Sequence, residues 1–511
     1  MNKIELGSQG MSAADVVAVA RHGATVSLSN DSVAALQRGA DVVARLFESD
    51  EPVYGVSTGF GALANTVIPS ERSAELQVSL VRSHAAGMGD EIDREVVRAM
   101  MVLRARSLAM GYSGARPVVA QTILDLLNAG VTPVVREYGS LGASGDLAPL
   151  AAAAMALLGE GDVRNNVGEL VRAADALGQH QIAPVVLQAK EGLALINGTD
   201  GMLGMLVLAL EDLRHLNRVA DIAGAMTVEA LMGTDRPFAA DLVAMRPQVG
   251  QQASAANLRS LLEASPIVAS HRHGDDRVQD AYSLRCTPQV HGAARDAVEY
   301  ATLIADRELA SFIDNPVVLA DGRVESCGNF HGAPVAQVAD LLAIAVADLG
   351  ALSERRTDRM LDSKRSHGLP PFLTPDPGVN SGLMIAHYTQ AAMVAENRRL
   401  ANPASTDTLP TSAMQEDHVS LGWSAAMKLR AAVDNLRRIL TIELVSAARG
   451  LQFREPLQPA VGTSAAGVIV KQALAETDPD SWLTPQLLAV EDLVESGAVL
   501  RAVEEAIGGL Q

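Results

Sequence analysis

Seven long segments of this chain have the composition of α-helices. They are rich in Ala, Leu, Val, Met and Arg, and none contains a proline beyond its first turn. Several carry apolar residues on more than one face, which is typical of helices buried in a bundle. We therefore predict a mainly α fold, with a long central helical bundle and a smaller N-terminal region of helices, loops and short strands. The predicted helices lie near residues 71–88, 93–110, 202–231, 289–311, 333–361, 382–400 and 420–449.

Short strands are predicted only where β-branched residues stand between turn signals. These places are Thr25–Ser29, Pro52–Val56 and two hairpins over 163–171 and 317–326. Asp321-Gly322 is the expected turn of the second hairpin.

The composition changes near residue 200 and again near the C-terminus, so three regions are expected. They are an N-terminal region over 1–200, a central helical bundle over 201–475 and a helical cap over 476–511. Thr484 and Pro485 are the expected N-cap and first residue of a helix in the cap.

The charge balance and the cysteine count exclude several classes of protein. The 511 residues carry a formal net charge of -19 without a basic stripe, which disfavours nucleic acid and anionic membranes as partners. Two cysteines cannot form a disulfide framework and suit a reducing compartment. The sequence contains neither a signal-peptide pattern at its start nor a charge-free apolar run of the ~18 residues that a membrane span needs. We therefore expect a cytoplasmic protein without a membrane segment.

The tripeptide Ala143-Ser144-Gly145 has a backbone that can react with itself. If a tight turn brings the Gly145 nitrogen onto the Ala143 carbonyl carbon, ring closure and loss of two waters give a five-membered imidazolone. Its exocyclic methylidene carbon derives from Ser144 and is electrophilic. Gly145 permits such a turn because it lacks a Cβ. A bare Ala-Ser-Gly is most often an ordinary turn, so the surrounding residues must decide.

Residues 139–150, Gly-Ser-Leu-Gly-Ala-Ser-Gly-Asp-Leu-Ala-Pro-Leu, resemble the prosthetic-group signature of the aromatic amino acid ammonia-lyases and aminomutases. The resemblance runs from about residue 10 to the C-terminus. It implies that the tripeptide becomes methylidene-imidazolone and that no external cofactor is needed. It also implies a homotetramer that acts on a small amino acid and shares its active sites between subunits.

Three clusters supply further candidate residues. Tyr54 precedes a glycine-rich loop, which lacks the Lys of a phosphate loop. This loop is either a structural turn or a mobile lid that carries a catalytic Tyr. His84 lies on the apolar stripe of a predicted helix, where a lone histidine is more often a core residue. Gln279, Tyr282 and Arg285 are spaced by three, which places an amide, a phenol and a guanidinium near one face of a turn. That grouping suits capture of a carboxylate.

Three more positions are ambiguous by themselves. Glu416 lies in a polar segment that a capping box or a metal site could explain, but no spaced ligand set accompanies it, so no metal is predicted. Asn197 has the form of a glycosylation acceptor, yet without a secretory signal we interpret it as an oriented hydrogen-bond donor. Phe330 stands between a predicted hairpin and a helix, where a core residue is usual.

Carried over onto these positions, the resemblance implies a role for each residue. Tyr54 would remove the substrate β-proton, and Ala143, Ser144 and Gly145 would form the electrophile that captures the amine. The other implied roles are Asn197 and Tyr282 steadying the reacting atoms, Arg285 holding the substrate carboxylate, and His84, Gln279, Phe330 and Glu416 lining the substrate pocket.

Within the family the likeness is greatest to members that act on histidine. The run Ser83 to Gly87 resembles their ring-recognition site, and Glu416 stands where other members tend to have Gln. Because an imidazole N–H needs a strong acceptor and a phenyl ring does not, we expect deamination of L-histidine to trans-urocanate and ammonia. A tyrosine ammonia-lyase or a 2,3-aminomutase is the nearest alternative. An inactive helical scaffold with an uncyclised tripeptide is the alternative from another class.

Overall fold

The computed structural model describes residues 3–47, 58–59, 61–63, 66–275, 277–474 and 480–511. Contacts group the chain into two compact units of three segments each. Unit 1 comprises Met1–Leu208, Thr302–Asp340 and Pro403–Met427, and unit 2 comprises Ala209–Ala301, Leu341–Asn402 and Lys428–Gln511. The three regions expected from sequence, 1–200, 201–475 and 476–511, stay a prediction.

Helices account for most of the described residues, which confirms the mainly α fold. The twenty α-helices of the described part of the chain are α1 Ala13–Ala20, α2 Asn30–Phe47, α3 Ser73–His84, α4 Arg94–Ala109, α5 Pro117–Asn128, α6 Leu147–Leu157, α7 Ala173–Gln179, α8 Glu191–Ile196, α9 Asp200–Ala230, α10 Ala240–Ala244, α11 Val249–Leu261, α12 Pro266–Ser270, α13 Tyr282–Arg285, α14 Thr287–Ala310, α15 Ala333–Leu361, α16 Met384–Leu400, α17 Gly422–Gln452, α18 Val461–Leu474, α19 Leu483–Glu495 and α20 Ala498–Ile507. The seven long helices predicted from composition are all present, with bounds that differ by a few residues.

The predicted start of the cap helix is wrong by two residues. Helix α19 begins at Leu483, and its N-cap is Trp482, which makes no side-chain capping bond. Thr484 is therefore inside the helix. Pro485 is tolerated at the third helical position because the first backbone N–H groups of a helix have no intrahelical acceptor.

The strands of the described residues are short and pair in four small sheets. They are β1 Lys3–Leu6, β2 Thr25–Leu28, β3 Met88–Glu91, β4 Thr132–Pro133, β5 Arg136–Tyr138, β6 Asp162–Arg164, β7 Leu170–Arg172, β8 Val317–Val318 and β9 Val324–Glu325. The pair β1–β2 is parallel, and the pairs β3–β5, β4–β6, β6–β7 and β8–β9 are antiparallel. The strand near Thr25 and both hairpins are thus confirmed, whereas the strand predicted at Pro52–Val56 lies outside the described residues.

Helix α4 is the central helix of unit 1. Every residue from Val96 to Ala109 is buried, and the helix packs against α1, α2, α5 and α6. Its buried arginines donate to backbone carbonyls: Arg98 to Val19 and Leu127, and Arg104 to Asn197 and Ile313. Because a buried guanidinium needs acceptors, these bonds tie distant segments to one helix.

Unit 2 contains a buried polar network between its helices. The Arg356 guanidinium makes a two-point ion pair with Glu443, and His291 Nδ1 lies 2.7 Å from Asp221 Oδ1. Burial lowers the pKa of His291, although Asp221 opposes the shift. Arg356 Nη1, which can only donate, lies 3.3 Å from His291 Nε2, so Nε2 accepts and Nδ1 donates to Asp221. Asp221 also accepts from Arg295 at 2.6 Å, from Ser254 and from Asn257.

Among the described residues, one helix is long and apolar enough to cross a membrane. It is α15, and 56% of its most apolar stretch is buried inside the protein, as in a core helix. Exposed apolar side chains also lie on α15 and α16, namely Leu341, Ile344, Ile385 and Tyr388.

Candidate active site

The tripeptide forms a compact turn between β5 and α6. Gly142 and Gly145 have φ of +68° and +73°, in the left-handed region that glycine adopts without steric cost. Their backbones bridge one another, and Ala143 also bridges Gly145. The turn is thus tight at Ala143 and Gly145, the two residues whose backbones ring closure would join.

Neighbouring atoms leave no room for a side chain at either glycine, backbone atoms at Gly145 and a side-chain hydroxyl at Gly142. A Cβ on Gly145 would overlap the carbonyl of Gly198, and one on Gly142 would overlap the Ser420 hydroxyl. The glycines are therefore needed for packing as well as for conformation.

Asp146 anchors the turn to the N-terminus of α9. Its amide donates to the Gly198 carbonyl at 2.7 Å, and its Oδ2 accepts from the Gly201 and Met202 amides at 2.9 Å each. Ser140 donates to Asp146 Oδ1 at 3.0 Å. Burial raises the pKa of Asp146 to about 7, while the donors from Met202, Ser140 and Gly201 act in the opposite direction. A carboxyl group at a helix N-terminus also meets the positive end of the helix dipole.

The segment before α17 holds the other side of the turn. The Leu421 amide donates to the Leu141 carbonyl at 2.9 Å, and the Ser420 hydroxyl donates to the Gly142 carbonyl at 3.3 Å. Trp423 Nε1 donates to the Glu137 carbonyl in β5 at 2.7 Å. The turn is consequently fixed from both sides by parts of the chain that lie far away in sequence.

A cavity of about 570 Å³ in unit 1 opens beside the tripeptide. Four predicted site residues line it: Ser144, His84, Asn197 and Glu416. Leu80, Leu193 and Ile196 supply apolar walls. The cavity thus combines an apolar surface with a few converging polar groups, as a small-molecule site does.

His84 is the last residue of α3. Its Nδ1 lies 2.9 Å from the Leu80 carbonyl, which can only accept, so Nδ1 carries a proton. In the neutral ring Nε2 is then a hydrogen-bond acceptor.

Glu416 is held by a strained segment. The Thr411 hydroxyl donates to Glu416 Oε2 at 3.0 Å, which leaves Oε1 as the less engaged oxygen. Ser412, Ala413 and Met414 all have positive φ, between 50° and 72°, although none is glycine. Such backbone costs free energy, and it clusters at functional sites.

The glycine-rich loop meets this strained segment. The Ser412 hydroxyl accepts from the Ala62 amide at 3.2 Å, and the 3₁₀ turns Gly61–Leu63 and Ser412–Met414 pack together. The described part of the loop that follows Tyr54 therefore forms one edge of the cavity. Tyr54 itself lies outside the described residues.

Asn197 is an oriented hydrogen-bond donor, as the sequence indicates. Its Nδ2 donates to Asp314 Oδ1 at 3.1 Å and to the Asn315 carbonyl at 2.8 Å, and its Oδ1 has no hydrogen-bond partner among the described residues. The prediction of an oriented donor is thus confirmed, although both N–H groups bond to the protein itself, and the role of Asn197 toward the reacting atoms stays a prediction. The atom left for the cavity is an acceptor.

The remaining predicted residues lie elsewhere. Phe330 is half-buried in the turn before α15 and is not among the described residues that line the cavity. Gln279, Tyr282 and Arg285 belong to unit 2, where Gln279 is exposed and the Arg285 guanidinium lies 4.5 Å from the centre of the Tyr282 ring. Their contribution to the site stays a prediction.

Sequence reasoning missed the groups that support these residues. Lys190 and Asp314 form an ion pair at 2.8 Å with both side chains fully buried, and Thr411 holds Glu416. Neither pair could be recognised from sequence. Lys190 and Asp314 are distant in the chain, and Thr411 and Glu416 are five residues apart, which is not the spacing of a known motif. Among the described residues, no group of three or more His, Cys, Asp or Glu could hold a metal ion.

The fold and the tripeptide turn define an enzyme class, and sequence comparison agrees. Residues 11–472 match the family model described as aromatic amino acid lyase, so the chain belongs to that family of carbon–nitrogen lyases. The histidine ammonia-lyase of Streptomyces avermitilis is 57% identical over 511 residues, which cover 100% of both chains.

Solved structures of family members have the same fold. The histidine ammonia-lyase from Trypanosoma cruzi superposes with a TM-score of 0.91 at 38% identity, covering 99% of this chain and 96% of that one. The tyrosine aminomutase from Streptomyces globisporus superposes with a TM-score of 0.94 at 34% identity over 100% of both chains. The fold is therefore shared by members that differ in reaction.

Proposed function

We propose that this chain deaminates L-histidine to trans-urocanate and ammonia by means of methylidene-imidazolone formed from Ala143, Ser144 and Gly145. The observation that carries the proposal is the cavity in which Ser144, His84 and Glu416 converge. Full-length relatives at 57% identity that are named histidine ammonia-lyase support the same substrate.

The residues present fit the proposed prosthetic group. The left-handed backbone of Gly145 makes the tight turn that ring closure needs, and the packing of Gly145 against Gly198 admits no side chain. Asp146 and Ser140 hold the turn by hydrogen bonds. When formed, the group supplies an electrophilic carbon that makes the amine of the substrate a better leaving group.

The side chains of the cavity select and orient the substrate. Glu416 Oε1 accepts a hydrogen bond from the imidazole N–H, because Thr411 already occupies Oε2. His84 lines the same cavity, and when its Nδ1 donates to Leu80, its Nε2 accepts the second N–H that the substrate ring carries in its protonated form. A phenyl or phenol ring would leave these polar groups unpaired, which disfavours tyrosine and phenylalanine.

The other roles follow the family resemblance. Tyr54 takes the β-proton and Arg285 pairs with the carboxylate through two N–H groups, while Tyr282 steadies the reacting atoms. Gln279 and Phe330 complete the substrate pocket. The enzyme needs no external cofactor in this scheme.

The proposed assembly is a cytoplasmic homotetramer with active sites shared between subunits. Exposed apolar residues on α15 and α16 support burial against other copies of the chain. In this arrangement Tyr54 and Arg285 of one active site come from different subunits.

Two measurements on the purified protein test the proposal. The intact mass should be lower than the encoded mass by two waters, and histidine should yield urocanate, which absorbs in the ultraviolet, with equimolar ammonia. Formation of coumarate from tyrosine would favour the tyrosine ammonia-lyase alternative, and formation of a β-amino acid would favour the aminomutase alternative. The fold is compatible with the second alternative, because a tyrosine aminomutase has the same fold. An unmodified mass with no activity would mean an inactive scaffold.

A further inference from the structure

The Asn197 amide is oriented by the chemistry of its neighbours. Both groups near its Nδ2, the Asp314 carboxylate and the Asn315 carbonyl, can only accept hydrogen bonds. The reverse orientation would set Asn197 Oδ1 against two oxygens, so the observed one is strongly preferred.

The free end of this amide is a buried acceptor at the cavity. Asn197 is 2% exposed, lines the cavity, and its Oδ1 has no partner among the described residues. A buried acceptor without a donor is costly, and a bound molecule with an N–H or O–H group removes that cost.

Lys190 fixes the carboxylate that orients Asn197. Lys190 Nζ lies 2.8 Å from Asp314 Oδ2, so the other oxygen, Oδ1, is left for the Asn197 amide. The Asn315 backbone N–H donates to the same Oδ1 at 2.7 Å. Both charged side chains are fully buried, and each offsets the charge of the other.

Helix α4 fixes the backbone on both sides of this contact. Arg104 donates to the Asn197 carbonyl and to the Ile313 carbonyl, each at 2.8 Å. The backbone positions of Asn197 and of the segment that carries Asp314 are thus tied to one buried guanidinium. The side-chain bonds then decide which atom of the amide faces the cavity.

We infer that Lys190 and Asp314 are positioning residues that hold the Asn197 oxygen toward the cavity, where it accepts an N–H of the amino group that leaves as ammonia. The inference rests on the proposed function, because that function supplies the amine. Without the ion pair only the Asn315 carbonyl opposes rotation of the amide, so the amide turns more readily and presents its own N–H groups to the amine. That arrangement removes the acceptor.

The test is a mutant cycle built on a neutral replacement of the ion pair. Lys190→Gln with Asp314→Asn removes both charges and keeps hydrogen-bonding groups of similar size. We expect kcat for histidine to fall by about 10-fold with a smaller change in KM, while the two-water mass deficit remains. In an Asn197→Ala background the same two substitutions should lower kcat no further. If Lys190 and Asp314 act only through Asn197, their effect on kcat is already absent when Asn197 is removed.

A second ion pair on the same helix provides the control. Glu191 begins α8, whose C-cap is Asn197, and pairs with Arg116 at 2.7 Å. Arg116→Gln with Glu191→Gln should lower the melting temperature and leave kcat near the wild-type value. An equal kcat loss in this control, or a full additional loss in the Asn197→Ala background, overturns the inference.

A charge exchange keeps the inference testable if the neutral pair does not fold. Asn197→Asp alone sets two carboxylates against each other, and adding Asp314→Asn returns one carboxylate and one amide to the contact beside Lys190. We expect the double variant to exceed Asn197→Asp in kcat by about 10-fold. No gain overturns the inference. The wild-type assay is run in parallel, so an active wild type with a failed cycle rejects only the inference, and a wild type without lyase activity rejects the proposed function.

Discussion

The tripeptide turn and the turn from Gln279 to Arg285 both carry predicted catalytic residues, but they are held in different ways. Hydrogen bonds from the Gly198 and Ser420 regions fix the tripeptide from two sides. In the second turn the Tyr282 side chain is 71% exposed, and Arg285 lies over its ring. A backbone that is to react with itself must be held by contacts within its own chain. Residues that bind substrate can instead be positioned by contacts with a neighbouring subunit.

The largest effect is expected inside the tripeptide. Ser144→Ala removes the hydroxyl that leaves during dehydration, so the intact mass should equal the encoded mass and nearly all activity should be lost. Arg285→Ala, in the second turn, should lose activity but retain the two-water deficit. Mass spectrometry of both variants checks the contrast, and an active wild type without the deficit would refute the proposed chemistry.

A smaller loss of activity is expected on substitution of Tyr54. We assign Tyr54, like Arg285, to the residues that act on the substrate and not to those that form the ring. A free phenol has a pKa of ~10, so activity should rise on the alkaline side of neutrality. Tyr54→Phe should lower kcat by ~10²-fold or more and leave the mass deficit intact. A pH profile and intact mass test this, and a nearly normal rate would move the base to another residue, first of all Tyr282.

Glu416 should affect substrate choice more than chemistry. Glu416→Gln keeps the shape but weakens the bond to the imidazole by roughly 1.5 to 3 kcal/mol, or about 10 to 150-fold in kcat/KM. His84→Leu should weaken histidine and relieve the penalty on phenyl and phenol rings. The ratio of kcat/KM for histidine over tyrosine and phenylalanine is the measurement. Equal losses for all three substrates would assign both residues to shared chemistry or to the fold.

The smallest effect, a partial recovery, tests the sharing between subunits. Tyr54→Phe and Arg285→Ala chains should each be inactive, and their co-refolded mixture should regain part of the wild-type rate if the two residues come from different subunits. Verified mixed tetramers without recovered activity would place both residues on one chain's site.

Much of the fold could be predicted because helix composition is a local property. The long helices and both hairpins were predictable from segments of the chain. The start of α19 was not, because a helix boundary depends on backbone geometry at Trp482 that composition does not report.

The site was predictable only in part. The tripeptide, His84 and Glu416 stand in recognisable motifs, and they converge on one cavity with Asn197. The direction of the Asn197 amide depends on Asp314, and the strain at Ser412–Met414 depends on tertiary packing. Such features arise from contacts between distant segments, so they become visible only in three dimensions.

The packing of Gly145 against Gly198, and of Gly142 against Ser420, has a consequence for the timing of maturation. Both partners are synthesised after the tripeptide, so a growing chain passes through a stage at which neither packs against the turn. The proposed ring can therefore close only late, after Ser420 has docked. The fraction of molecules with the lower mass then records how many chains reached native packing in unit 1. A destabilising substitution far from the cavity should produce a preparation with two masses.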